Sequence, residues 1–176
     1  MATILENILL STTFYKPQSW VPGKSEEINR QINLFARNSN EAAMVIAHMI
    51  CDSDGFTHTV DTEKSNAPYH GRGYIKLVRG ENYKQASYDL FGDNRLISNP
   101  DAINYSVELC TRVSLWVWDK KVRPVLARSS STGSFLLTTK AINRDVGNYS
   151  DHASKRYAVY CQAARMLGVK NLFKYE

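Results

Sequence analysis

Apolar residues recur along this chain mostly at intervals of three and four, the spacing of one helix face. From Ser25 to Arg37, Ile28, Ile32 and Phe35 stand at i, i+4 and i+7 and predict an amphipathic helix. Asn40 can cap a second helix, EAAMVIAHMIC, whose apolar positions wrap most of its circumference, as in a buried helix. That pattern breaks at CDSDGF, where polar residues and Gly55 intervene. FTHTVDTEKSNAPYHGRG is irregular and polar, and the short alternating run YIKLV after it predicts a strand. Glu81 to Phe91 reads as a helix with Tyr83, Ala86 and Leu90 on one face and Gly92 as its stop. Asn99-Pro100-Asp101 marks a helix start, since proline fits a first turn that needs no N–H partner. From there Ile103, Val107, Cys110 and Val113 continue a buried stripe toward Trp116 and Trp118. SSSTGS from Ser129 is a loop, and FLLTTKAIN a short helix. Asp151 or Ser154 opens a last helix with Tyr157, Tyr160, Ala164 and Leu167 on one side and Gly168 closing it. The chain is therefore expected to be mainly α, with at most a small sheet near residues 73 to 78.

Composition narrows this picture only slightly. A length of 176 residues, 43% hydrophobic and 22% charged, suits one domain, with two lobes at most, and excludes wholesale disorder. No apolar run approaches the ~20 residues that span a bilayer. The opening MATILENILLSTTFYK lacks a basic flank and carries Glu6 early, so no signal peptide is expected in it. The three cysteines, Cys51, Cys110 and Cys161, are far apart and odd in number, and read as small buried hydrophobes. No Cys/His clustering supports a metal, and no cofactor is expected. The net charge of +5 permits an anionic partner without demanding one. Its tightest cluster, Asp119-Lys120-Lys121-Val122-Arg123, reads as a solvated helix end, where cations are favoured.

The chemistry concentrates around YHGRGYIKLVRGENY, from Tyr69 to Tyr83. Its two glycines suggest a phosphate loop, but the segment after them is strand-like rather than helical, and neither glycine-rich phosphate motif is matched. Arg72, Lys76, Arg79 and Lys84 beside Tyr69, Tyr74 and Tyr83 leave a nucleic-acid patch open, though nucleic acid is the disfavoured partner. The third reading is a saccharide cleft.

That stretch resembles the Y-x-G-R-G-x-I-x-L signature of family 19 glycoside hydrolases, the plant-type and bacterial chitinases. The order of landmarks continues: ISNPDA (97–102) is similar to G-N-P-D, SLWVW (114–118) to A-L-W-F-W, AINRD (141–145) to I-N-G-G, and KRYAVYCQAARMLGV (155–169) to the closing helix. These collinear matches run from about Ala42 to Val169. The resemblance implies a lysozyme-like α+β fold, mainly α, with two helical lobes around a substrate cleft, formed by residues 1–176 as one catalytic-type domain. It also implies a chitin or related N-acetylglucosamine partner and, by family habit, secretion.

Inverting hydrolysis of a glycosidic bond takes a protonated carboxyl for the leaving oxygen and an ionised one for water, roughly 6.5–9.5 Å apart. In the resembled family both are glutamates. Aligning Ala47 and Gly55-Phe56 with H-E-T-G-G puts Asp52 at the acid position, with Cys51 in place of the histidine. TVDTEKSN resembles the short-loop form of the second region and puts Asp61 at the base position, with Glu63 as the alternative base after a two-residue shift. The shorter side chain withdraws each carboxyl by about 1.5 Å on a fixed backbone, and a misplacement of about 1 Å costs ~100-fold. Two such losses amount to ~5 kcal/mol of barrier lowering. Without the family register, Asp52 and Ser53 read simply as helix-ending residues and Asp61 as a solvated loop residue.

Other positions depart too. The water-holding hydroxyl residue of the family is Val78, which cannot hydrogen-bond, and its sugar-binding Gln is Lys76. I-N-G-G has become Ile142-Asn143-Arg144-Asp145. Tyr69, Asn82, Tyr83 and Asn143 are retained, and the resemblance implies substrate binding for them together with Lys76. Arg72 and Arg156 would give electrostatic support, although Arg72 reads equally as a structural hydrogen-bonding hub. An arginine beside the acid works against a proton donor, which must be neutral before it acts. Trp116 and Trp118 read as core or cleft wall, His48 as a satisfied core histidine, and His58 and His70 as neighbours of the cleft. Hydrolysis is thus expected to be weak or lost, with a fully active chitinase or a peptidoglycan-glycan hydrolase as the alternative and a basic nucleic-acid-binding module as the third reading.

Overall fold

The computed structural model describes residues 2–14, 21–61, 68–128, 133–143 and 151–176. The alternative base Glu63 lies outside the described residues, as do Arg144 and Asp145. In chain order the helices are α1 (Ile4–Leu10), α2 (Lys24–Phe35), α3 (Ser39–Asp52), α4 (Gly80–Phe91), α5 (Arg95–Ser98), α6 (Val107–Lys121), α7 (Arg123–Leu126), α8 (Phe135–Ile142) and α9 (Asp151–Met166), with a 3-10 turn at Pro100–Asn104. The mainly helical fold expected from the sequence is the one observed.

α1 is a helix that the periodicity did not announce. Thr3 Oγ1 accepts from the Glu6 N–H and Glu6 Oε2 accepts from the Thr3 N–H, a reciprocal cap that lets seven residues hold a helix and bury Leu5, Ile8 and Leu9. α3 begins two residues earlier than expected, because Asn38 rather than Asn40 accepts from the Glu41 N–H at 2.9 Å. Every residue from Glu41 to Ile50 is buried, as an all-round apolar helix requires. α9 packs along it, and Ala153, Ala163 and Ala164 permit the close approach.

Asn99-Pro100-Asp101 starts a helical turn, but a 3-10 one, and α6 begins afresh after Ser106, whose side chain accepts from the Leu109 N–H. The stripe from Ile103 to Val113 therefore spans two elements. The expected strand near residues 73 to 78 is a correction: among the described residues this region holds only isolated antiparallel bridges, Val60 with Arg72 and Arg72 with Leu77. Arg72 and Leu77 exchange backbone bonds of 3.1 and 2.8 Å, so YIKLV folds back on itself within five residues. Its tip is held by α6, where Ser114 Oγ accepts from the N–H groups of Tyr74 at 2.8 Å and Ile75 at 3.1 Å.

The core is wired by a few polar groups. Glu41, 5% exposed, accepts from Arg123 Nε at 2.8 Å, Trp118 Nε1 at 3.0 Å and the Arg37 N–H at 2.8 Å. Burial opposes its charge, but these donors outweigh burial and hold it below its ordinary value. His48 stands between the rings of Phe135 and Trp118 with Nε2 2.9 Å from Thr138 Oγ1. α8 has no side-chain cap. Its first N–H groups are met instead by the 173–175 segment: Phe135 N–H donates to Lys174 O at 2.8 Å and Leu136 N–H to Tyr175 O at 3.0 Å.

Candidate functional site

Asp52 is the last residue of α3, and the packing of α9 brings Arg156 onto it. Arg156 Nη2 donates to Asp52 Oδ1, and both side chains are only 10% exposed. Burial draws the Arg156 guanidinium below its ordinary value, with Cys51 acting the other way, and its Nε finds no partner among the described residues. Burial also pushes the Cys51 thiol up to about 11, so this cysteine carries no thiolate near neutrality. Ser53 is the residue that ends the helix, since its Oγ bonds to Met49 O and accepts from the Phe56 N–H. Asp54, Gly55 and Phe56 then run through positive φ, and Phe56 is 1% exposed against Tyr74. At Gly55 a side chain would strike the Phe14 carbonyl oxygen at 2.2 Å, so this sharp turn depends on the missing Cβ.

Asp61 enters through the backbone: its N–H donates to Gly71 O at 2.9 Å, while the Gly73 N–H donates to Thr59 O at 2.8 Å. The Asp61 carboxylate lies against Gly71, where an added Cβ would meet Oδ2 at 2.0 Å. Lys76, the expected sugar ligand, turns its ammonium to His58 O at 2.7 Å and Gly73 O at 2.9 Å. Burial lowers its pKa while the Asp61 charge raises it, so the two side chains feel each other. Lys76 thus braces the turn after α3 against the 71–77 hairpin.

Arg72 is the hub that the sequence allowed it to be. It is 3% exposed, bonds Asp101 at 2.7 Å, and donates to Pro68 O and to Tyr83 Oη. Tyr83, fully buried, donates in turn to His70 O at 2.6 Å. Tyr69 packs on the Tyr83 ring at 5.2 Å and fills the space above Gly80. These three residues shape the hairpin from behind.

Asn82 and Asn143 come together elsewhere. With Val78 they line a cavity of about 800 Å³, whose remaining wall comes from Arg79, the end of α6, α7 and α8. Leu137, Ala141, Ile142 and Val125 supply apolar surface, and Arg79, Lys120, Lys121 and Lys140 supply charge. Asn82 Nδ2 donates to Val78 O at 2.8 Å, which fixes its amide. Lys120 and Lys121 sit in the last turn of α6, as a cationic helix end predicts, but that turn faces this cavity. Periodicity could have hinted at it: Lys121 follows the buried Val117 by four. Trp116 and Trp118 are buried and donate to Asp89 and Glu41 respectively. Among the described residues no group of three or more His, Cys, Asp or Glu could hold a metal ion.

This geometry defines a class: a helical protein with a cavity beside a short hairpin, and with one carboxylate at the end of α3 and another against the hairpin's Gly71, neither of them among the described lining residues of that cavity. Known proteins make the class specific. The chain superimposes on a family 19, class IV chitinase from Zea mays (TM-score 0.73, 19% identity, 95% of this chain and 92% of that one) and on a bacterial family 19 chitinase (TM-score 0.71, 19% identity, 98% and 97%). By sequence it is similar to an inactive endochitinase of Arabidopsis thaliana (28% identity over 102 residues, 57% of this chain and 35% of that protein). It is similar also to an endochitinase of the same plant (32% over 103 residues, 57% and 34%). The match thus spans about a third of the length of these curated relatives. No family model matches the chain. Its fold is the helix-rich, lysozyme-like fold of the family 19 chitinases.

Proposed function

We propose that residues 1–176 act as a single chitinase-like domain that binds β-1,4-linked N-acetylglucosamine polymers and hydrolyses them weakly or not at all. The observation that carries this reading is the ion pair between Asp52 and Arg156. A general acid has to hold a proton on the carboxyl that meets the leaving oxygen. A guanidinium that donates to this carboxylate favours its ionised form, the opposite of what a proton donor needs. Val78 adds to this, because the cavity wall there offers no hydroxyl to hold a water. What remains suited to sugars is the pair of amides, Asn82 and Asn143, beside apolar surface from Leu137, Ala141 and Ile142. The name of one Arabidopsis relative, an inactive endochitinase, is consistent with loss of chemistry on this fold.

Incubation with N-acetylglucosamine hexamer, followed for binding and product together, tests the reading. Saturable binding without product is expected, together with a gain of cleavage in the Asp52→Glu/Asp61→Glu variant. Rapid release of α-anomeric product that disappears in Asp52→Asn would instead identify an active inverting chitinase. A hexamer that neither binds nor is cleaved would remove the saccharide reading.

A further inference from the structure

Resting on the saccharide reading, we propose that the cavity between Val78, α6 and α8 takes a carboxylate-bearing N-acetylhexosamine chain in preference to a neutral one. Arg79, Lys120, Lys121 and Lys140 bring cationic groups from three parts of the fold to one space of about 800 Å³, and no Asp or Glu is among its described lining residues. Lysine and arginine donate hydrogen bonds and cannot accept them. A neutral glycan presents hydroxyls that both donate and accept, so a wall rich in cations leaves the hydroxyl donors poorly served and desolvates charge without return. Carboxylates only accept, and complement such a wall.

Lys120 already shares its charge with Asp89 at 3.0 Å, which leaves Arg79 before α4 and Lys140 in α8, two separate parts of the cavity wall, as the main carriers of the preference. In the same lining, Asn82 and Asn143 offer both donors and acceptors to hydroxyls and acetamides, and Ile142 and Val78 offer apolar contact to acetyl methyls. Nucleic acid would bring phosphates to the same cations. However, single-strand sites stack bases on aromatic rings, and none is among the described lining residues.

The test compares three probes of equal length by titration at about 20 mM and about 500 mM salt. These are the N-acetylglucosamine tetramer, the tetrasaccharide alternating N-acetylglucosamine with N-acetylmuramic acid, and the methyl ester of the latter. The acidic probe should bind about tenfold tighter than the neutral tetramer at low salt. That advantage should vanish on esterification and in Arg79→Gln/Lys140→Gln, and shrink at high salt. A urea midpoint of the double variant matching that of the parent chain serves as its folding control. Equal affinity for acidic and neutral probes would overturn this inference and leave the saccharide reading standing. Binding of neither would overturn both. An oligothymidylate of similar length that binds tighter than the acidic glycan would overturn it in favour of nucleic acid.

Discussion

At the scale of single residues, the proposed loss of hydrolysis rests on Asp52. Its carboxylate and the Arg156 guanidinium share a site of 10% exposure, and neither has bulk water to fall back on. Breaking a buried pair from one side strands the other charge, at a cost of about 3–5 kcal/mol. Arg156→Met is therefore expected to lower stability by about 3 kcal/mol, read from urea midpoints, whereas Asp52→Leu/Arg156→Met should lose clearly less than the sum of the single changes. Additive losses would mean that the two groups are not coupled. By family register the sequence offered both residues, as a candidate acid and its electrostatic support, and the structure brings their side chains together. What it could not convey is how completely the arginine occupies the carboxylate, because that depends on α9 lying against the end of α3.

Among the elements, the 72–77 hairpin shows how a sequence pattern can be honest yet misleading. Tyr74, Ile75 and Leu77 are all buried, so the apolar signal in YIKLV was real. Alternation, however, does not say where backbone N–H groups find partners. Here two of them are met by Ser114 on α6, forty residues downstream at most. Ser114→Ala gains about 0.5 kcal/mol of helix propensity at most, but strands two buried N–H groups at about 1–3 kcal/mol each. A net loss of about 2 kcal/mol, with an unchanged denaturant slope, is the expected result. α2, α4 and α9 were legible because each repeats its apolar spacing over three turns or more and, in α4, ends at Gly92. α1 was not, since seven residues are too few to establish a period and its capping box carries the start. The cationic end of α6 was read as solvated because charge clusters usually are. Only the placement of α8 turns it into a cavity wall.

For the molecule as a whole, acid should act first through His48. Burial, with the nearby Arg156 charge as the lesser cause, holds this imidazole well below its ordinary 6.5. Above that value both folded and unfolded chains carry it neutral, and stability does not depend on it. Below 6.5 the unfolded chain takes up a proton that the folded chain resists, so stability falls by up to about 1.4 kcal/mol per pH unit. Glu41, itself held below its ordinary 4.5, adds its own loss only at lower pH. Urea midpoints between pH 7 and pH 5 should therefore slope downward toward acid, and His48→Leu should flatten that slope; an identical slope would clear His48 of the role.

The backbone bonds by which residues 173–175 cover the opening turn of α8 have a consequence at a distance. Leu137, Lys140, Ala141 and Ile142 all hang from the helix that this cover secures. A nick after Val169, or a bulky fusion that pries the covering strip away, would unclasp one bank of the basin from outside its lining. The α8 wall of the cavity is in this way held by a stretch of chain outside its lining.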